Sequence, residues 1–179
     1  MAIIKPNNNT ISAITALPAA ISTGKVLQIQ TTTKTDTFST SSTSYTDVTG
    51  LSVSITPSSS SNKIFVMAHA AIDHGNSRTM MVQLVRGSTA LHIGTAASNR
   101  PGATFFTHSD EANDNTVHYT GAFQFLDTPN TTSATTYKLQ ARISSNNAGH
   151  INRTSVDSDN SNNARSASGI TVMEIAGWL

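Results

Sequence analysis

The stretch GLSVSITP, residues 50–57, decides the fold class, because its apolar and hydroxyl side chains alternate along the chain. Leu51, Val53 and Ile55 point to one face of an extended strand, and the serines and threonine between them point to the other. The glycine before and the proline after mark the turns that bound a strand. The stretch therefore predicts a half-buried β-strand with its apolar face on a core.

Similar strand patterns recur along the chain, between turns rich in Ser, Asn and Gly. Alternation is clear in TVHYTGAFQFLD at 116–127 and in TTYKLQARISS at 135–145. KIFVMAHAAI at 63–72 is more continuously apolar, which is typical of a strand buried on both faces. The aromatic side chains that fall at core spacing in these strands are Phe65, Phe123, Phe125 and Tyr137.

The last such segment, GITVMEIAG at 169–177, has apolar side chains on both faces. Ile170 and Val172 fall on one face together with Glu174, and Met173 and Ile175 fall on the other. This arrangement indicates a central or interface strand. We expect a Lys or Arg to pair with the carboxylate of Glu174.

Helical patterns are scarce. The best helical candidate is TISAITALPAA at 10–20, and Pro18 limits it to a turn or two. No repeat with a period of about 20–50 residues occurs, which argues against propellers and fibre shafts. The sequence predicts an all-β jelly roll or β-sandwich of about eight to ten antiparallel strands, with an N-terminal arm at 1–24 and a body at 25–179.

Composition narrows the function classes. Of the 179 residues, 12% are charged, the net charge is +1 and cysteine is absent, so nucleic acid is an unexpected partner and disulfides are excluded. No segment reaches the roughly 20 apolar residues of a membrane-spanning helix, and the N-terminus lacks the pattern of a secretory signal. We therefore expect synthesis in a cytoplasm, no membrane insertion, and stabilisation by core packing or oligomerisation.

Residue patterns for metal or catalytic chemistry are weak. The six histidines show no ligand spacing, and DSDN at 157–160 lacks the glycine and distal glutamate of a calcium loop. No GxSxG nucleophile motif occurs, and the few carboxylates cluster in loops. We therefore predict no metal, no cofactor, no catalytic residues and no enzymatic activity. Three copies of one histidine gathered on a threefold axis remain a possible ion site.

Two long polar stretches, 98–114 and 153–168, resist assignment to strands and are the expected contact loops. Sugar-binding surfaces present exposed aromatic side chains, and Phe105 and Phe106 are the loop-side candidates, although packing beneath the loop is an equal alternative. The candidate loop-tip contacts are Phe105, Phe106, His108, Asp110, Asp157 and Asp159.

Four stretches together resemble a domain of structural proteins from tailed phages, especially marine and cyanobacterial ones. They are GKVLQIQTTTKTDTFSTSSTSYTDVTGLSVSITPSSSSNKIFV at 24–66, VQLVRGSTAL at 82–91, FQFLDTPNTTSATTYKLQARIS at 123–144 and NARSASGITVMEIAG at 163–177. The resemblance covers about residues 24–177. It implies a trimeric jelly-roll knob of the tail-fibre or head-decoration type, and it brings no catalytic residues.

This resemblance suggests a role for the arm. We expect residues 1–24 to anchor the protein to other virion proteins of the capsid or tail, with the body exposed on the virion surface as a homotrimer that contacts host glycans. The apolar side chains of the arm are Ile3, Ile4, Ile11, Ile14, Leu17 and Ile21. An edge strand or a swapped arm within the oligomer is the alternative. A free lectin-like carbohydrate-binding module and a capsule-degrading enzyme are the rival functions.

Overall fold

The computed structural model describes residues 25–74, 79–108, 118–145 and 147–177, and within them all regular structure is β-strand. Ala176 continues the pairing of the last strand by donating to the carbonyl of Lys25 at 2.9 Å. The strands are β1 (Val26–Lys34), β2 (Phe38–Thr40), β3 (Thr46–Ile55), β4 (Lys63–Asp73), β5 (Thr79–Arg86), β6 (Thr89–Leu91), β7 (Phe105–His108), β8 (Tyr119–Asp127), β9 (Thr135–Ile143), β10 (Gly149–Ile151) and β11 (Ser168–Ile175).

The strands form two antiparallel sheets. Sheet A has the order β1-β11-β4-β10-β2, with β8 along the other edge of β4, and sheet B has the order β3-β9-β5-β6, with β7 also on β5. When the three-residue strands β2, β6 and β10 are set aside, the orders are β1-β11-β4-β8 and β3-β9-β5-β7. These are the strand orders of a jelly roll, so the predicted all-β sandwich is confirmed.

The hydrophobic core lies between the inner faces of the two sheets. The alternating stretch that predicted the fold supplies Leu51, Val53 and Ile55, which are 0%, 6% and 2% exposed. Tyr137 on β9 is fully buried, as its spacing predicted. Phe123 and Phe125 pack against this core while remaining partly accessible. The period-two pattern therefore located the core correctly at these positions.

Strand β4 departs from the sequence prediction because, in the described chain, its outer face is covered only toward its C-terminal end. Ile64 and Val66 point inward and are fully buried, whereas Met67 is 37% exposed and His69 is exposed on the outer face. Phe65, predicted to lie in the core, shares that outer face because it alternates with the buried side chains. The prediction of burial on both faces was wrong for this chain alone.

A close contact between Phe105 of β7 and Gly121 of β8 joins the two sheets. A Cβ atom placed at Gly121 would overlap three ring atoms of Phe105. Opposite Gly121 on β4 stands Ala70, which is fully buried. This small pair leaves space for the aromatic ring, which also lies 6.2 Å from the ring of Phe123. Phe105 is therefore a core residue whose position requires glycine at 121.

We predict that Gly121→Ala destabilises the body by about 1–3 kcal/mol, because the added methyl group collides with the Phe105 ring. Urea unfolding followed by circular dichroism measures this change. In a Phe105→Leu background the same substitution should cost clearly less, because the smaller side chain vacates the space. Equal costs in the two backgrounds would show that this contact does not limit the packing.

Several calls from the sequence lie outside the described residues. These are the whole arm at 1–24, including its helical candidate, and Asp110 in the contact loop at 98–114. No helix long and apolar enough to cross a membrane occurs in the part of the chain that the structure describes.

Candidate functional site

The outer face of sheet A carries a continuous row of large apolar side chains, here called the apolar row. The strand register places Ile29 opposite Met173, Met173 opposite Phe65, and Phe65 opposite Leu126. Directly opposed residues share one face of a sheet, so the row crosses β1, β11, β4 and β8. Ile29 and Leu126, at its two ends, are 55% and 49% exposed.

Beside the apolar row the same face forms an open recess of about 680 Å³. Two further rows of residues line it, and its walls are mostly small and polar. Gly169 faces His69 across the β11–β4 pair, and a Cβ at Gly169 would lie 3.0 Å from the imidazole. The hydroxyls of Thr31 and Thr171 form a hydrogen bond of 2.9 Å on the recess wall. The outer face of sheet A is therefore apolar at one end and polar at the other.

The outer face of sheet B carries a second recess, of about 300 Å³, here called the aromatic cleft. Its principal lining residues are Thr79, Met81, Asn99, Arg100, Pro101 and Phe106. Phe106 is the most exposed large apolar residue among those described, at 66%. It projects outward because its neighbour Phe105 is turned into the core and successive strand residues face opposite ways.

The loop beside the aromatic cleft is held by specific hydrogen bonds. The backbone N–H and C=O groups of Ala97 and Arg100 pair with each other at 3.0 Å in both directions. The hydroxyl of Tyr45 donates to the carbonyl of Gly102 at 3.1 Å. The guanidinium of Arg142 lies 5.8 Å from the centre of the Tyr45 ring. These contacts position the loop over the sheet and define the edge of the cleft.

The predicted loop-tip residues fall into two separate places. Phe106 and His108 lie on the outer face of sheet B, where the Nδ1 atom of His108 is 2.7 Å from the hydroxyl of Thr79. Asp157 and Asp159 lie in the loop between β10 and β11, where they line a different recess. The guanidinium of Arg165 donates two hydrogen bonds to Asp157, at 2.7 and 3.2 Å.

The loop between β10 and β11 is fixed at its base by Asn152. This residue is fully buried and has a positive φ of 64°, a conformation that Asn tolerates better than most side chains. Its side-chain amide donates to the carbonyls of Lys34 and Asp36, and its oxygen accepts from the hydroxyl of Ser168. Its backbone carbonyl accepts from the N–H of Ser166, so the loop is closed at its base.

At the same end of the sandwich, buried polar groups meet around β4 and β10. The carboxylate of Asp73 accepts from the backbone N–H and the hydroxyl of Ser155, at 3.1 and 2.6 Å. The Nδ1 atom of His150 lies 2.8 Å from the hydroxyl of Ser39 and 2.9 Å from the guanidinium of Arg153. Burial lowers the pKa of His150, and the charge of Arg153 lowers it further.

Glu174 is fully buried and contradicts the expected pairing with Lys or Arg. Its carboxylate accepts from the amides of Gln28 and Asn62 and from both the backbone N–H and the hydroxyl of Ser58. Burial on its own raises a carboxyl pKa, but these hydrogen bonds outweigh it and lower the pKa of Glu174 to about 2. A cation is unnecessary because the neutral donors satisfy both oxygens.

A second buried carboxylate, Asp127, is held in a similar way on sheet A. One nitrogen of Arg86 donates to both of its oxygens, at 2.9 and 2.7 Å, and the hydroxyl of Tyr137 donates at 2.6 Å. Burial and the nearby carboxylate raise the pKa of Tyr137 well above its ordinary value. Glu174 and Asp127 therefore have structural partners that account for their burial.

We predict that Glu174→Gln is less stable than the wild type at pH 7 by about 2 kcal/mol, because an amide cannot accept all four hydrogen bonds. The depressed pKa of Glu174 contributes stability above the unfolded value of 4.5, and this contribution is lost as the pH falls toward 2. The difference between variant and wild type should therefore narrow on acidification.

Urea unfolding at several pH values between about 7 and 3 measures this difference. Asp159→Asn, at an exposed loop position, serves as the matched control and should follow the wild type. If Glu174→Gln lost stability in parallel with the wild type over this range, the buried carboxylate would not be the source of the effect.

No group of three or more His, Cys, Asp or Glu side chains within the described ranges could hold a metal ion. His74 stacks on Tyr119 with ring centres 5.7 Å apart, and His92 lies 5.2 Å from the ring of Phe125. These histidines are therefore in packing contacts.

Comparisons with known proteins give only distant similarities. No protein-family model matches the chain, and no curated protein matches it. A structure of the Gx strain of infectious bursal disease virus is similar with a TM-score of 0.38 and 13% identity, over 84% of this chain and 40% of that one. The VP2 subviral particle of the same virus gives 0.33 and 11%, with the same coverage. The chain thus spans about two fifths of the length of these proteins.

Sequence reasoning missed the apolar row as a unit. It noted apolar side chains on both faces of 169–177 and near-continuous apolarity at 63–72, and these are the two central strands of the row. The signal was therefore present in each segment. What was missing was the register, which aligns Met173 with Phe65 and extends the row to Ile29 and Leu126.

Proposed function

We propose that this protein is a non-enzymatic surface component of a phage virion, a homotrimeric knob that is attached to the capsid or tail through residues 1–24 and contacts the host surface. The jelly roll supports this reading, since viral capsid domains and lectins both use that fold. The resemblance over residues 24–177 to tailed-phage structural proteins supports it as well. The observation that carries the proposal is the apolar row on sheet A.

The apolar row is a surface for a second copy of this chain. Exposed apolar patches that cross a whole sheet are uncommon on monomeric proteins and mark association sites. The face is almost uncharged: Lys63, opposite Ile175 beside the row, is the charged residue among its paired positions on β1, β11, β4 and β8. Two copies of such a face meet without like-charge repulsion, whereas a strongly charged partner would gain nothing from it.

Covering this surface contributes favourable free energy to association. Ile29 and Leu126 are about half exposed and Phe65 and Met173 partly exposed, so covering each contributes about 1 kcal/mol. The row then contributes on the order of 4 kcal/mol gross per copy. In a closed trimer each copy contributes its row, so the gain multiplies with the number of copies. This supports a homotrimer whose axis lies near sheet A.

We predict that the double variant Ile29→Ser/Leu126→Ser is monomeric at micromolar concentration while the wild type is trimeric. The two side chains are exposed ends of the row, so their replacement should leave the fold intact. Light scattering behind size exclusion gives the mass, and circular dichroism checks the fold. Val156→Ser, which removes an exposed apolar side chain from the β10–β11 loop, should remain trimeric.

The outcomes separate two claims. A wild type that is monomeric would refute the trimeric knob. A trimeric wild type with an equally trimeric, folded double variant would keep the knob and refute the assignment of its interface to the apolar row.

The arm is proposed as the attachment segment. Residues 1–24 precede β1 in the sequence, and β1, an edge strand of sheet A, carries Ile29 at one end of the apolar row. Six aliphatic side chains on a stretch with one charged residue, Lys5, suit burial against an apolar surface of a virion protein. Three arms on one trimer would strengthen attachment through avidity.

We predict that deletion of residues 1–22 leaves a folded, soluble body that no longer binds virus particles. Co-sedimentation with particles lacking the protein measures attachment, with the full chain as the control. A truncated protein that is insoluble or unfolded would show that the arm belongs to the fold of the body or to the oligomer. Retained binding would place the attachment surface on the body.

A lectin-like module is the second candidate, and the exposure of Phe106 favours it. A free module of this kind would bind saccharides without belonging to a particle. The rival reading, a capsule-degrading enzyme, has less support, because Glu174 and Asp127 are buried and held by structural hydrogen bonds. Hydrolysis of a polysaccharide by paired carboxylates needs both of them beside an open cleft.

A further inference from the structure

We infer that the aromatic cleft on sheet B binds a carboxylated saccharide, such as a chain of uronic acids. This inference rests on the proposed function and deepens its host-contact part, since it names the surface and the ligand chemistry. The inference combines an exposed aromatic platform, the lining guanidinium of Arg100 with the charge of Arg142 beside it, and a recess with a fixed shape.

Phe106 supplies the platform. Because the Phe106 side chain is 66% exposed, a ligand that covers it removes apolar surface from water. The apolar C–H face of a sugar ring matches the aromatic ring in size and flatness. The platform is rigid because Phe105, one residue before it, is locked into the core above Gly121. Its cross-strand partner Met81 forms the adjoining floor of the cleft. A stacking ligand therefore meets a preformed surface.

Polar groups lie beside this platform. Asn99 and Thr79 line the cleft together with Phe106 and offer an amide and a hydroxyl to a sugar. A recess of about 300 Å³ with a mainly apolar floor and a few polar groups fits the small end of known ligand sites. Such a site suits a shallow contact with the end of a saccharide chain.

Charge selects an acidic sugar over a neutral one. Arg100 lines the cleft, and its backbone is fixed by the reciprocal pairing with Ala97. Arg142 adjoins the cleft as the partner of Met81 on β9. The described lining contains no carboxylate. The guanidinium of Arg142 lies over the ring of Tyr45, so Arg142 adds positive charge beside the cleft without lining it. Guanidinium groups bind carboxylates in a bidentate geometry.

The test is calorimetric titration of the full-length protein with tetragalacturonic acid and with its methyl ester, which has the same rings without the charges. We expect the acid to bind and Phe106→Ala to weaken it at least about tenfold, which corresponds to about 1.4 kcal/mol. Phe106→Tyr keeps the platform and should stay within about threefold of the wild type. Raising NaCl from about 50 to about 300 mM should weaken the acid and leave the ester unchanged.

Two further variants test the charged part. Arg100→Ala should weaken the acid several-fold without affecting the ester, whereas Arg165→Ala, which removes an exposed positive charge from the β10–β11 loop, should change neither. Equal binding of acid and ester would overturn the charge selection. An unchanged affinity in Phe106→Ala, or no binding of either probe, would overturn the site.

This failure is distinguishable from failure of the proposed function. If the protein is trimeric and particle-bound but binds neither probe, the saccharide site in the aromatic cleft is refuted and the virion role stands. If the protein is monomeric and binds the acid through Phe106, the saccharide site stands, the trimeric knob is refuted, and a free lectin-like module is the better account.

Discussion

The insertion of Phe105 from sheet B over Gly121 of sheet A is the contact on which the packing of the two edge strands and the aromatic cleft depend. It joins the edge strand of one sheet to the edge strand of the other, at a point where Ala70 and Gly121 leave room for one aromatic ring. Since strand residues alternate, an inward Phe105 obliges Phe106 to face outward. A packing requirement in the core thus creates the exposed aromatic side chain of the cleft.

Strand β4 is the strand around which sheet A is arranged. Its two edges are occupied by β8 on one side and by β11 and β10 on the other, so it is central to sheet A. Its inward side chains complete the core, its outward side chains include Phe65 of the apolar row, and its end carries the buried carboxylate of Asp73. Strand β4 is apolar on both faces, and most of its outer face is left uncovered within the described chain.

The sequence was sufficient for the fold class because period-two alternation at 50–57 and 135–145 is a local property that the folded sheets preserve. Local pattern could not reveal which strands are neighbours, and so it assigned Phe65 to the core and hid the row that Phe65 forms with Met173. It also predicted an ion pair between Glu174 and a Lys or Arg, because a local pattern cannot show that Ser58 and Asn62 donate hydrogen bonds to this carboxylate. The sequence named Phe105 and Phe106 as candidates for the cleft, but it could not show which of the two faces the core, because that depends on the strand register.

The closure of the β10–β11 loop by Asn152 has a consequence for variation. Asn152 fixes the base of the loop by hydrogen bonds to β1, β4 and Ser168. Residues 157–164, beyond this base, pair with no strand. Changes in the length or composition of this segment are therefore insulated from both sheets. The same fixed base makes this loop a suitable insertion point for a foreign peptide, provided that Asn152 is retained.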